Sequence, residues 1–197
     1  VDAGKLQKAA SLNLLQKLPS EIITENIQNQ LLDINNFWAP ITYRSRILVY
    51  SNERVNKNDL NTYESLADEK WKNRILVRSS SNAYNQALMA SIIANNGIEK
   101  ARNWSEGIVA NLARSPKGND RDQVKAIYSG LGDVAIVNSY YIGLLLSSEK
   151  EEERKAGESV SVFFPNQEEN QRGTHVNISG VAITKNSPNK DNAVMLI

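Results

Sequence analysis

The stretch Gly132-Asp133-Val134-Ala135-Ile136-Val137-Asn138-Ser139-Tyr140-Tyr141 decides the fold. Its four consecutive apolar residues, 134–137, leave no polar face, so they read as a strand buried on both sides, as inside a parallel sheet. Asn138 and Ser139 are helix-capping residue types, and the helix they open is predicted over Tyr140–Leu146. The same grammar occurs upstream. Arg74-Ile75-Leu76-Val77-Arg78 reads as a short apolar strand, Ser79-Ser80-Ser81-Asn82 as a cap, and Ala83–Asn96 as a helix with Leu88, Met89, Ile92 and Ile93 inward and Gly97 as its stop. Strands that alternate with helices predict an α/β fold, whose ligand sites form beyond the carboxyl ends of the strands.

Working outward, apolar residues at helical spacing predict a helix over 2–18 closed by Pro19-Ser20, and a shorter one over 22–32. Asn35, Asn36 and Pro40 predict a loop, 41–50 a strand rich in β-branched and aromatic residues, and 55–61 a polar loop. Ala101, Trp104, Ile108 and Leu112 define one buried face of a helix over 98–113, and Asn119 or Asp120 caps another carrying Val124, Ile127 and Tyr128. The charged run 149–154 reads as a solvated helix surface, and 159–164 and 174–184 read as strands. Ser187 and Pro188 then open a final helix. Beginning at Val1 with no initiator Met or leader, and stopping within that helix, the chain is expected to be a fragment cut at both ends.

The 197 residues carry 23 Lys plus Arg against 22 Asp plus Glu, and a net charge of +1 gives no long-range field toward nucleic acid or an anionic membrane. No apolar run approaches the ~20 residues of a membrane span, so no membrane insertion is expected. With no cysteine and one histidine, His175, thiolate metal sites and Cys nucleophiles are excluded and oxygen chemistry remains. A Ser-His-Asp triad would need His175, and no Gly-x-Ser-x-Gly elbow is present, so an enzyme is not expected. Ser115-Pro116-Lys117-Gly118 likewise lacks the phosphate-loop pattern.

Both strand-to-helix junctions carry a polar cap followed by tyrosine: Tyr84 after the first, Tyr140 and Tyr141 after the second. Parallel neighbouring strands would put them on one edge. Helix N-termini offer unsatisfied N–H groups and about half a positive charge, which suits an anion and eases ionisation of a nearby phenol. A phenol of pKa ~10 becomes a ligand only for a cation acidic enough to displace its proton, and iron(III) is such a cation. The alternative is that these tyrosines are half-buried packing residues with wet hydroxyls, and spacing alone leaves the two readings level.

The stretches 78–86 (RSSSNAYNQ), 104–118 (WSEGIVANLARSPKG), 132–141 (GDVAIVNSYY) and 164–180 (FPNQEENQRGTHVNISG) resemble the periplasmic iron(III)-binding proteins of bacterial ABC importers. The most specific element is the Asn-x-Tyr-Tyr junction with Tyr84 upstream in its own capped helix. The resemblance implies a type II periplasmic solute-binding protein fold of two lobes joined by hinge-crossing strands. Residues 1–43 would form part of the first lobe, 44–172 the complete second lobe, and 173–197 the hinge return and a further part of the first. It implies Tyr84, Tyr140 and Tyr141 as iron(III) ligands, and Ser80, Ser81, Asn82 and Asn138 as a cradle for a synergistic anion, which the tyrosine-rich subgroup often dispenses with. It implies Arg44 as a guanidinium balancing phenolate charge, and a further His- and Tyr-containing ligand segment upstream of Val1. It further implies a periplasmic monomer that hands iron to an ABC permease. The alternatives are a solute-binding protein for an oxyanion or polyamine, or a ligand-sensing effector domain.

Overall fold

The computed structural model describes residues 1–18 and 20–197; the expected helix stop at Pro19 lies outside them, as does the side chain of Thr24. The chain forms two compact units, one comprising Val1–Arg44 and Val176–Ile197, the other Ser45–His175.

In the first unit, helix α1 runs over Ala3–Ser11 rather than the expected 2–18. It ends because Asn13 turns left-handed (φ 57°), after which Leu15 bridges to Thr184 as extended chain and Leu15 and Leu18 are buried. Leu14, Leu15 and Leu18 therefore match helical spacing by coincidence; Leu15 and Leu18 pack from an extended segment, while Leu14 stays exposed. Helix α2 spans only Glu21–Asn26, capped by the Ser20 side chain, and the remainder of the expected second helix is a 3-10 turn over Asn29–Leu31. Pro40 lies inside strand β1 (Ala39–Ser51), not in a loop.

The second unit carries the sheet that positions the two tyrosine junctions. Strand β2 (Ile75–Leu76) is followed by α3 (Ala83–Asn96), α4 (Ile98–Ala110) and α5 (Asp120–Tyr128). Strand β3 (Val134–Asn138) leads into α6 (Tyr140–Leu146), α7 (Glu151–Glu158) and β4 (Val160–Phe163). Back in the first unit, strand β5 (Val176–Val181) and helix α8 (Lys190–Leu196) complete the chain. Helix α8 is preceded by Asn189, not Ser187, at its cap position.

The strand order is β2-β3-β1-β4, with β5 also pairing β1. Strand β3 is parallel to β2 but antiparallel to β1, with Arg46 opposite Asn138 and Tyr50 opposite Val134. The sheet is thus mixed, and the continuous apolar run of β3 reflects helices on both faces rather than an all-parallel sheet. Side-chain alternation sorts the strands. Leu48, Tyr50, Ile75, Val134 and Ile136 pack with Leu88 and Ile92 of α3 and Trp104 and Ile108 of α4. Ile47, Val49, Leu76, Ala135 and Val137 pack with Val124 and Ile127 of α5, Leu145 of α6 and Ala156 of α7. Each fully buried aliphatic side chain contributes about 1.5–3 kcal/mol, so this double-sided core anchors the β3–α6 junction firmly. Ile93, expected inward, keeps 39% of its surface exposed at the rim of α3.

Candidate functional site

The first junction is built by capping. The Asn82 side chain accepts a hydrogen bond from Tyr84 N–H at 3.0 Å, ending the serine turn and starting α3 with Tyr84 in its first turn. Ser79 and Ser81 hydroxyls meet at 2.8 Å within that turn. The second junction starts where β3 ends: Ser139 N–H donates to the Ser45 carbonyl at 2.9 Å, and α6 opens directly with Tyr140 and Tyr141. Because β2 and β3 are parallel neighbours, both junctions emerge at the same sheet edge.

There the three tyrosines converge. The Tyr140 and Tyr141 rings have centroids 4.2 Å apart and are tilted by 32°. The Tyr140 hydroxyl is hydrogen-bonded to the side chains of both Tyr141 and Tyr84. Tyr140 keeps 39% of its surface exposed, yet its hydroxyl end is desolvated among the other two phenols. Burial first, and then the hydrogen bonds to Tyr141 and Tyr84, push its pKa above the ordinary tyrosine value. A Tyr140 phenol held in this way keeps its proton unless a strong Lewis acid is placed beside its oxygen. Among the described residues no group of three or more His, Cys, Asp or Glu side chains is arranged to hold a metal ion.

Behind Tyr84 lies a buried polar network that sequence reasoning missed. Arg46, 1% exposed, donates from Nη1 to Asp120 Oδ2 at 2.6 Å and to Asn138 Oδ1 at 3.2 Å, and from Nη2 to Asn85 Oδ1 at 2.7 Å. Arg78 donates to the other Asp120 oxygen at 3.3 Å, while Asp120 itself is fully buried and also accepts Asn138 N–H at 2.8 Å. The two guanidinium carbons stand 5.9 Å and 5.6 Å from the centre of the Tyr84 ring. The available signal was a lone arginine opening the apolar run 47–50, with an aspartate at a helix start to answer it.

Of the residues singled out from sequence, Tyr84, Tyr140 and Tyr141 are brought together. Asn138 lies beneath them, 1% exposed, with Nδ2 lacking a hydrogen-bond partner. Ser80, Ser81 and Asn82 occupy the turn immediately before Tyr84, and Ser80 and Ser81 are exposed. Arg44 belongs to the first unit, where its guanidinium pairs with Asp2 and donates to Ser179 Oγ at 2.7 Å. His175 contributes through its backbone: its N–H donates to the Tyr63 hydroxyl at 3.2 Å and its carbonyl accepts from Arg46 N–H at 2.9 Å. A separate cavity of about 430 Å³ lies between α3 and α4 on their apolar side; Arg78, Ser80 and Asn85 reach its rim, and the tyrosines do not line it.

A mixed sheet whose β2–α3 and β3–α6 junctions bring three tyrosines together at one edge defines an α/β protein with a candidate binding site. Residues 1–195 match the bacterial extracellular solute-binding protein family, and the chain belongs to it. It is 47% identical over its whole length to iron uptake protein A2 of Synechocystis sp., of which it covers 57%. It is 27% identical over 95% of its length to the major ferric iron-binding protein of Neisseria meningitidis, of which it covers 55%. Among solved structures, IdiA (FutA) of Trichodesmium in complex with iron and citrate superposes with a TM-score of 0.94 at 44% identity, over 98% of this chain and 61% of that one. The chain thus spans little more than half the length of these curated relatives. The fold is that of the periplasmic solute-binding proteins, and among the described residues no helix is long and apolar enough to cross a membrane.

Proposed function

We propose that the chain binds iron(III) through tyrosinates, with Tyr84, Tyr140 and Tyr141 as ligands, and serves in iron uptake as a binding protein rather than an enzyme. The observation that carries this reading is the shared hydroxyl cluster of the three tyrosines at one sheet edge. Relatives named for iron uptake and ferric iron binding support the choice of metal. The two compact units are read as a complete second lobe, Ser45–His175, and part of a first. Delivery to an ABC permease from the periplasm, as a monomer, completes the reading.

An accompanying anion is accommodated by the same residues. Ser80, Ser81 and Asn82 precede the N-terminus of α3, and Asn138 Nδ2 is a buried donor with no partner. The Trichodesmium relative in complex with iron carries citrate as well. Arg44, paired with Asp2 and bonded to Ser179, is assigned a structural part in the first unit in addition to any charge balancing.

The test is optical. Iron(III) supplied to the chain as a weak citrate chelate should produce a visible phenolate-to-iron charge-transfer band that weakens in Tyr140→Phe and Tyr141→Phe. A parent chain that stays colourless with iron(III) would sink the tyrosinate reading.

A further inference from the structure

We infer that Arg46, Asp120 and Arg78 are positioning residues for the tyrosine site: a buried ionic network that holds Tyr84 against the Tyr140–Tyr141 junction and places one net positive charge behind its ring. The inference rests on the iron(III) reading above and extends it to residues that touch no metal.

The geometry has two parts. Mechanically, the network ties together the four segments whose ends meet at the site. Arg46 belongs to β1, Asn85 to α3, Asn138 to the end of β3 and Asp120 to the start of α5, and the Arg46 guanidinium reaches all three partners at 2.6–3.2 Å. Asn85 in turn donates from Nδ2 to the Arg78 carbonyl at 2.9 Å and the Ser79 carbonyl at 3.3 Å, so the serine turn before Tyr84 is fixed to the same scaffold. Donor groups held this way keep ligand atoms within the few tenths of an ångström that binding requires.

Electrostatically, two guanidiniums share one carboxylate. Asp120 is fully buried and bonded to both arginines, leaving a surplus of one positive charge in a low-dielectric pocket. Both guanidinium carbons lie within 6 Å of the Tyr84 ring centre, 5.9 Å and 5.6 Å away, so Tyr84 feels that charge more than Tyr140 or Tyr141 do. A nearby cation lowers the energy of a phenolate's donor electrons. Tyr84 is thereby made the least electron-releasing of the three oxygens, and the triad is electronically unequal although its side chains are chemically identical.

Arg78 is the residue to change, since its side chain is 18% exposed while Arg46 and Asp120 are closed off. Parent chain, Arg78→Gln and Arg78→Lys would each be loaded with ferric citrate; their visible spectra, thermal melts and iron retention against rising citrate would be compared. The expected result for Arg78→Gln is a charge-transfer band moved to longer wavelength and iron retained about 10- to 100-fold less strongly, the range seen when groups supporting metal ligands are removed. Arg78→Lys, which keeps the charge, should hold the band close to the parent position while losing part of the retention. A band in Arg78→Gln at the parent wavelength, in a variant that melts cooperatively, overturns the inference and leaves the tyrosinate site standing. A colourless parent chain overturns both.

Discussion

Tyr63 shows how much of the site's rigidity depends on single residues beyond the ligands. It is fully buried, its hydroxyl donates to the Arg46 carbonyl and accepts from His175 N–H, and its own carbonyl accepts the Trp104 indole N–H at 2.7 Å. Burial raises its pKa above the usual tyrosine value, opposed by the His175 hydrogen bond and by the Arg172 guanidinium 5.2 Å from the ring centre. It therefore stays a neutral hydrogen-bonding strut across the working pH range. Tyr63→Phe keeps the ring and strands the partners, with an expected loss of about 1–3 kcal/mol in urea unfolding. Gly180 marks a different residue-scale constraint. A Cβ there would fall 2.6 Å from the Ala39 carbonyl oxygen and 2.9 Å from Leu6 and Trp38 carbons, so β5 can lie this close to β1 only through glycine. Gly180→Ala should cost about 1–3 kcal/mol, measured the same way, because backbone oxygen cannot step aside.

At the scale of the element, legibility tracks how local the determining physics is. Helix α3 was readable to the residue because its cap, Asn82, and its stop, Gly97 at φ 84°, lie within the segment itself. Helix α5 was legible less finely, with Asn119 or Asp120 as its expected cap; Asn119 takes that place and forms a reciprocal capping box with Asp122, and Asn119→Ala should lower stability by about 1 kcal/mol in chemical denaturation. Segment 12–18 departs from the helix its spacing predicts because Leu15 and Leu18 are buried from an extended segment set by a non-local bridge to Thr184 and a left-handed Asn13, neither visible in local periodicity. The first tyrosine junction was legible because Asn82 caps α3 just before Tyr84; at the second, the expected cap residues Asn138 and Ser139 make no side-chain cap, and α6 follows directly from the end of β3. The Arg46–Asp120–Arg78 network was not, because its members lie on β1, on α5 and just after β2, and meet only once the sheet is assembled.

For the molecule as a whole, acid should be the revealing stress. Asp133 is held below the usual carboxylate range: burial pushes it upward, but hydrogen bonds from Arg54 and Arg74, both at 2.6 Å, outweigh that. Glu64 is likewise lowered, against burial, by hydrogen bonds from Asn166 and Asn96 and by Arg172. A carboxyl whose folded pKa lies below its unfolded value of about 4 stabilises the fold above that pH and loses the contribution as pH falls toward the folded value. Stability of the parent chain should thus decline below about pH 4, and Asp133→Asn should be less stable at neutral pH yet show a shallower acid limb when melting temperature is followed against pH.

The left-handed residues other than glycine are, among the described residues, all asparagines: Asn13, Asn36, Asn73, Asn166 and Asn170. Asparagine tolerates that conformation at a strain of about 1 kcal/mol, which glycine would relieve. Glycine would also enlarge the ensemble of the unfolded chain, at a cost of about 0.4–1 kcal/mol. The two effects nearly cancel, so at exposed Asn73 the sequence has an evolutionary free choice between the two residues, while at Asn166, whose side chain accepts from Tyr63 N–H and donates to Glu64, it has none.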